Sequence, residues 1–316
     1  MDISEEQYEA LQARSMRDFG IALILLTGIL GGLYLLPVPR MAKAPSVSAV
    51  PEATVQPRAF SRVDINAKAA VVLDMRTGKV LYEKNADAQL PLASLTKLLA
   101  VYAAVDTFDL AERIAVNEND AGTEPPRAFL NGDVVPLDQL ARLTLTASLN
   151  DGAAALVDAV ARKRGVSAAA ALTSTAHKLG LNQTYAHNGS GLDLTQTVSG
   201  AYGSARDMAR LAYAVAERVP TIAAATTHAY AAERVLGGQQ YRVKNTNPDV
   251  GEIPQLLLSK TGFTDLAGGN LALVFDAGLD HPIAVVVMGS SKSARFTDGE
   301  ALIRATRAYF ANIETL

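Results

Sequence analysis

Hydrophobic and polar positions divide the chain into three unlike stretches. Residues 1–18 are polar, with Asp2, Glu5, Glu6, Glu9 and Asp18 outweighing Arg14 and Arg17. Phe19 to Leu36 then runs eighteen residues without a charge, and Pro37 ends it. That is just the length a helix needs to cross a bilayer, so a single transmembrane anchor is predicted over 19–36, with 1–18 as its cytoplasmic N-terminal segment. A secretory signal peptide would have a shorter apolar core and a net positive start, although Ala42-Lys43-Ala44 does resemble a cleavage site. The anchor fits better. Arg14 and Arg17 are matched by Arg40 and Lys43, so flanking charge does not orient the segment. Residues 37–66 hold five of the thirteen prolines among Ala, Ser and Val, lack any hydrophobic period, and read as an extended linker. Residues 67–316 remain for one large globular domain.

Within that domain the periodicity changes twice. Ala69–Leu73 is a short apolar run of strand type, and Arg76-Thr77-Gly78-Lys79 is a turn leading into Val80-Leu81-Tyr82, so the opening unit reads as a hairpin. Apolar residues at helical spacing from Leu95 to about Phe108 predict a helix that starts near Ser94. Leu137 to Arg164 reads as two helices broken at Ser148-Leu149-Asn150, and further helices are expected to about Leu179 and from Ser204 to Glu217. Leu256–Lys260, Asn270–Phe275 and Ile283–Met288 return to strand type, and a helix from about Ala294 to Asn312 closes the chain. Two strands, a helical middle, three strands and a helix predict an α+β fold: an antiparallel sheet with helices against it.

Composition narrows the chemistry. The 49% hydrophobic and 19% charged fractions exclude a disordered chain and leave ample material for a core. A formal net charge of -3 with no basic cluster offers no electrostatic footprint for nucleic acid. With no cysteine there is no disulfide, no thiolate metal site and no cysteine nucleophile. His177, His187, His228 and His281 show neither metal-ligand spacing nor a Ser/His/Asp arrangement, so no metal and no cofactor are implied. Gly189-Ser190-Gly191 is not a nucleophile elbow, and no glycine-rich phosphate loop is present.

Three short segments carry the remaining chemistry. In Ser94-Leu95-Thr96-Lys97 the i, i+3 spacing puts the Lys97 amine within reach of the Ser94 hydroxyl on one helix face. A serine becomes a useful nucleophile when a neighbour takes its proton, and lysine can do so only if its pKa falls well below about 10.4. A helix N-terminus and a second cation nearby would both push it that way. Ser148-Leu149-Asn150 offers a hydroxyl that can relay a proton and an amide that can bind a peptide; its plain reading is a helix N-cap. Lys260-Thr261-Gly262 ends a strand-like run, where a cation beside a hydroxyl suits a carboxylate and glycine permits close approach; its plain reading is an exposed lysine before a turn. Each signal alone is weak. Together they stand in the order SxxK, SxN, KTG, 54 and 112 residues apart, the signature shared by penicillin-binding proteins and class A β-lactamases.

On those residues the sequence resembles the low-molecular-mass penicillin-binding proteins, the D-alanyl-D-alanine carboxypeptidase/endopeptidase family of serine peptidases. Thr77–Tyr82, Asn85, Leu179-Gly180-Leu181, Thr184, Asn188, Gly191-Leu192, Ser204–Ala209 and Lys260–Thr264 with Ala267-Gly268 extend the likeness over about 68–290. Ala186 and Gly189 depart from the aromatic residue and proline expected there, which puts that loop's shape in question. The resemblance implies a β-lactamase/DD-peptidase-like fold over 67–316, a five-stranded antiparallel sheet flanked by helices with a helical subdomain in a three-layer αβα stack. It implies Ser94 as nucleophile, Lys97 as general base with its pKa held down by Lys260, and Ser148 as proton relay. Asn150 would hold the acyl-side amide, Lys260, Thr261 and Gly262 the terminal carboxylate, and the N–H groups of Ser94 and Phe263 the oxyanion. The implied substrates are peptidoglycan stem peptides and the implied inhibitors β-lactams, with the body outside the cytoplasmic membrane and attached through the N-terminal helix. Alternatives are a β-lactamase, disfavoured because 182–195 contains no Glu and Asp193 as its single acid, and a non-catalytic tethered binding module, disfavoured because all three motifs are intact.

Overall fold

The first strand is apolar at nearly every position because both of its faces are covered. The structure, a computed structural model, describes residues 57–234 and 240–313 together with Met16, Arg17, Phe19 and Thr27. Apart from those four residues, the expected cytoplasmic segment, the anchor over 19–36 and linker residues 37–56 lie outside the described residues. Among the described residues no helix is long and apolar enough to cross a membrane. The described residues from Pro57 onward belong to one compact unit. Phe60, Ile65 and Ala67, within or next to the predicted linker, are buried in its core.

The central sheet has five strands: β1 (Ala69–Asp74), β2 (Val80–Lys84), β3 (Leu256–Thr264), β4 (Gly268–Asp276) and β5 (Pro282–Ser290). Their order is β3-β4-β5-β1-β2 with every neighbour antiparallel, so the two ends of the sequence meet where Val71 faces Val286. Side chains alternate between two cores, as a period of two requires. Val71, Leu73, Leu258, Ala272, Val274, Val286 and Met288 pack into the large helical core, whereas Ala70, Val72, Leu271, Leu273, Phe275, Val285 and Val287 pack with Phe60 and Leu302. Six helices matter for the site: α1 (Thr96–Thr107), α2 (Leu137–Ala147), α3 (Asn150–Arg164), α4 (Ala168–Lys178), α5 (Ala205–Arg218) and α6 (Ala294–Ile313). Helix α5 lies against one face of the sheet and α6 against the other, which makes the three layers.

The expected hairpin, helix pair and closing strands all form. Short pieces went unrecognised: the strand pairs Arg113–Ala115 with Val134–Pro136 and Tyr230–Arg234 with Gln240–Lys244, and the three-stranded set Leu90–Pro91, Ala201–Gly203, Tyr185–Ala186. Runs of two to five residues give too few positions for a period to register.

Helix α1 positions the chemistry. Nine of its twelve residues are buried, as in a helix enclosed on all sides, and Lys97 is among them with no exposed surface. A short 3-10 turn, Ala93–Leu95, precedes it and carries Ser94, which keeps partial access to solvent.

Candidate active site

Three structural devices bring the motifs together. The turn before α1 is fixed to the sheet by Asn270, whose Nδ2 donates to the carbonyls of Pro91 and Leu92 at 3.0 Å each and whose Oδ1 accepts from Gly289 N at 2.8 Å. Between α2 and α3 the chain reverses at Ser148, held in the left-handed region at φ 60°. A non-glycine residue there carries local strain of order 1 kcal/mol, characteristic of functional positions. On β3, Gly262 passes so close to the turn that an added Cβ would lie 3.1 Å from Leu92 O and 3.2 Å from Ser94 N. Glycine at the third motif position is thus a packing requirement between the strand and the nucleophile turn.

The Lys97 Nζ lies 2.9 Å from Ser94 Oγ, and also donates to Asn150 Oδ1 at 2.7 Å and to Ser190 O at 2.8 Å. Burial pushes its pKa down from 10.5 to about 7, against the opposing pull of the Asp151 carboxylate. The geometry gives that value chemical content. A neutral amine has two N–H groups and one lone pair; two fixed carbonyl-type acceptors occupy the N–H groups, leaving the lone pair for the Ser94 hydroxyl. The arrangement can therefore draw the serine proton.

Lys260 is also buried, and its Nζ donates to Ser148 Oγ at 2.9 Å and to Thr261 O at 2.7 Å. Its pKa is pushed well down, first by burial and then by repulsion from Lys97 and Arg295. Desolvation is the leading cause at both amines, and the mutual repulsion of Lys97 and Lys260 acts in the same direction. The plain readings of the second and third motifs also fail: Ser148 ends a helix in place of capping the next one, and Lys260 sits in mid-strand with 1% of its surface exposed.

Asn150 also has a structural part. Its Nδ2 donates to Glu124 O at 2.8 Å and Pro125 O at 3.1 Å, and its Oδ1 accepts from Lys97. Both ends of the amide are engaged inside the protein, so Asn150 positions the Lys97 amine and ties it to the 124–125 wall. Asp151 holds the same wall, its Oδ2 accepting from the N–H groups of Ala128 at 2.6 Å and Phe129 at 2.7 Å.

Sequence reasoning missed four contributors. Ser190 supplies its carbonyl to Lys97 through a turn that Asn188 braces by accepting from Gly191 N at 2.7 Å. Gly191, at φ 76°, rests directly on the backbone of Ala93, beside the nucleophile, where a Cβ would collide. Arg295, 7% exposed at the start of α6, donates from Nη1 to Gly262 O at 2.6 Å. Asn270 left one legible signal, an amide inside an otherwise apolar strand.

A family model described as D-alanyl-D-alanine carboxypeptidase matches residues 53–292. The chain belongs to the D-alanyl-D-alanine carboxypeptidase family. Among similar family members, the D-alanyl-D-alanine carboxypeptidase DacC of Escherichia coli is 30% identical over 269 residues, which span 79% of this chain and 63% of that one. This chain thus spans just under two thirds of that relative's length. A D-alanyl-D-alanine endopeptidase of Escherichia coli is 30% identical over 254 residues, 77% of each chain. Penicillin-binding protein D2 of Listeria monocytogenes, solved in its cefotaxime-bound form, superposes with a TM-score of 0.65 at 25% identity, over 77% of this chain and 97% of that one. The family fold and the five-stranded antiparallel sheet agree with the expectation from sequence.

One consequence follows from the Lys97 environment. Protonated below about pH 7, the amine has no lone pair to offer; above it the base is free. The rate of acylation by benzylpenicillin is expected to rise about tenfold per pH unit up to pH 7 and to level off above it. A stopped-flow pH series checks this, since an unshifted lysine would keep the rate climbing toward pH 10.

Proposed function

We propose that the chain is a serine DD-peptidase, a carboxypeptidase or endopeptidase cleaving the D-Ala–D-X bond of peptidoglycan stem peptides and trapped covalently by β-lactams. The observation that carries this reading is the buried Lys97 amine, at a pKa of about 7, 2.9 Å from the half-buried Ser94 hydroxyl. Ser94 Oγ attacks the D-Ala carbonyl while its proton passes to Lys97. The developing oxyanion lies between the N–H groups of Ser94 and Phe263, where each donor contributes a few kcal/mol of transition-state stabilisation, about 2.7–4. The C–N bond breaks as Ser148 relays to the departing amine the proton that Lys97 took from Ser94, and water then releases the acyl group and regenerates Ser94. Thr261 and Gly262, with the nearby charge of Lys260, receive the terminal carboxylate. Asn150 serves as a positioning residue for Lys97.

A β-lactamase would need an acid to drive water onto the acyl-enzyme. Within 182–195 the single acid, Asp193, is committed: its Oδ1 accepts from Thr264 Oγ1 at 3.1 Å and its Oδ2 from Leu266 N at 3.4 Å. Slow deacylation follows. The wall substrate lies outside the cytoplasmic membrane, so residues 1–18 are read as the cytoplasmic segment, 19–36 as an uncleaved anchor, 37–56 as the tether and 57–316 as the external catalytic domain. The test is release of D-alanine from a synthetic stem pentapeptide by the full chain recovered with membranes after an alkaline wash. Absence of both D-alanine release and cleavage of cross-linked peptidoglycan, or nitrocefin turnover faster than about one per second, would sink the reading.

A further inference from the structure

A cationic cleft opens beside the third motif. It is lined by Lys244, Asn245, Thr246, Pro248, Lys292, Ser293, Arg295 and Phe296, holds about 640 Å3, and has no acidic residue in its lining. It joins the catalytic strand directly. Thr246 Oγ1 accepts from Thr261 Oγ1 at 2.7 Å, Arg295 holds Gly262 O, and the Lys292 ammonium sits 5.1 Å from the centre of the Phe263 ring. Lys244 and Lys292 are exposed, and neither makes an ion pair among the described residues. Four other surface cations, Arg142, Lys178, Arg206 and Arg304, do lie against carboxylates. Two exposed ammoniums without a carboxylate partner lining one cleft leave its positive charge uncompensated among the described residues.

We infer that this cleft receives the side chain of the leaving residue, and that it selects a leaving amino acid bearing a second carboxylate over free D-alanine. The inference rests on the peptidase reading, in which Thr261 and Gly262 hold the leaving residue's main-chain carboxylate. A residue held there projects its side chain past Thr246 into the cleft. The methyl group of D-alanine leaves that space unused, whereas an acidic side chain reaches Lys244 and Lys292.

The test uses three synthetic peptides with a common acyl half, ending in D-Ala–D-Glu, D-Ala–D-Gln and D-Ala–D-Ala. D-Glu and D-Gln match in size and differ in charge. For the wild-type full chain, kcat/KM is expected to favour the D-Glu peptide over D-Gln by about fivefold, the scale of two exposed ion pairs. That ratio should collapse toward one in the Lys244→Gln/Lys292→Gln double variant and in the wild type at high salt. Equal cleavage of D-Glu and D-Gln peptides by the wild type, or a preference that survives in the double variant, overturns the inference and leaves the peptidase reading standing. Cleavage of none of the three overturns both.

Discussion

Ser94→Ala is expected to abolish covalent labelling by fluorescent penicillin, on gels and in intact-mass measurements alike. The acyl bond forms on Ser94 Oγ, and no other described hydroxyl lies 2.9 Å from a buried amine of lowered pKa except Ser148. Ser148 is the informative control. Its neighbour Lys260 donates both to Ser148 Oγ and to Thr261 O, and the oxyanion donors proposed above, the N–H groups of Ser94 and Phe263, serve an attack from Ser94. Removing one half-buried hydroxyl leaves the packing intact, so the variant should keep the wild-type melting temperature within about 0.5 kcal/mol of stability. Label persisting at the wild-type level would remove Ser94 from the mechanism and point to Ser148.

The second large effect separates a base from a charge. Both Lys97→Met and Lys97→Arg are expected to slow acylation by about 10²–10⁴-fold, the usual contribution of a positioned general base. Arginine keeps the cation yet stays protonated at any accessible pH, so it cannot accept the serine proton. Methionine keeps the length of the side chain and removes the amine. Its stability cost has two opposed parts: Asn150 Oδ1 and Ser190 O lose their donor, about 1–3 kcal/mol for each buried acceptor, while the desolvation of a buried ammonium disappears. The pH profile supplies the check. Whatever acylation remains in either variant should lose its rise toward pH 7, and a rise that persists would assign that titration to another group.

Much of this was legible along the chain, and particular residues show why. Ser94 and Lys97 are three apart on one turn, so their contact is local and a sequence pattern can state it. Strands β1, β3, β4 and β5 were legible because burial on both faces makes long apolar runs. The structural part of Asn150 was not legible because its residue type allows several uses, and only the fold brings the Glu124 and Pro125 carbonyls to its Nδ2. Arg295 was invisible for a similar reason. Nothing near Ala294 distinguishes it from any arginine at a helix start, until β3 brings Gly262 O to its guanidinium.

The sequence by itself determined the element types, the order of the three motifs and the family likeness, because each rests on residues close together in the chain. Tertiary structure alone decided what those residues can do. The shift of Lys97 to about 7 requires burial of α1 from all sides, a property of the assembled core and not of any tetrapeptide. Its aim at Ser94 requires acceptors from Asn150 and Ser190, 53 and 93 residues away. Desolvation and hydrogen-bond direction are set by what surrounds an atom in space, and chain order carries that information only when the surroundings are local.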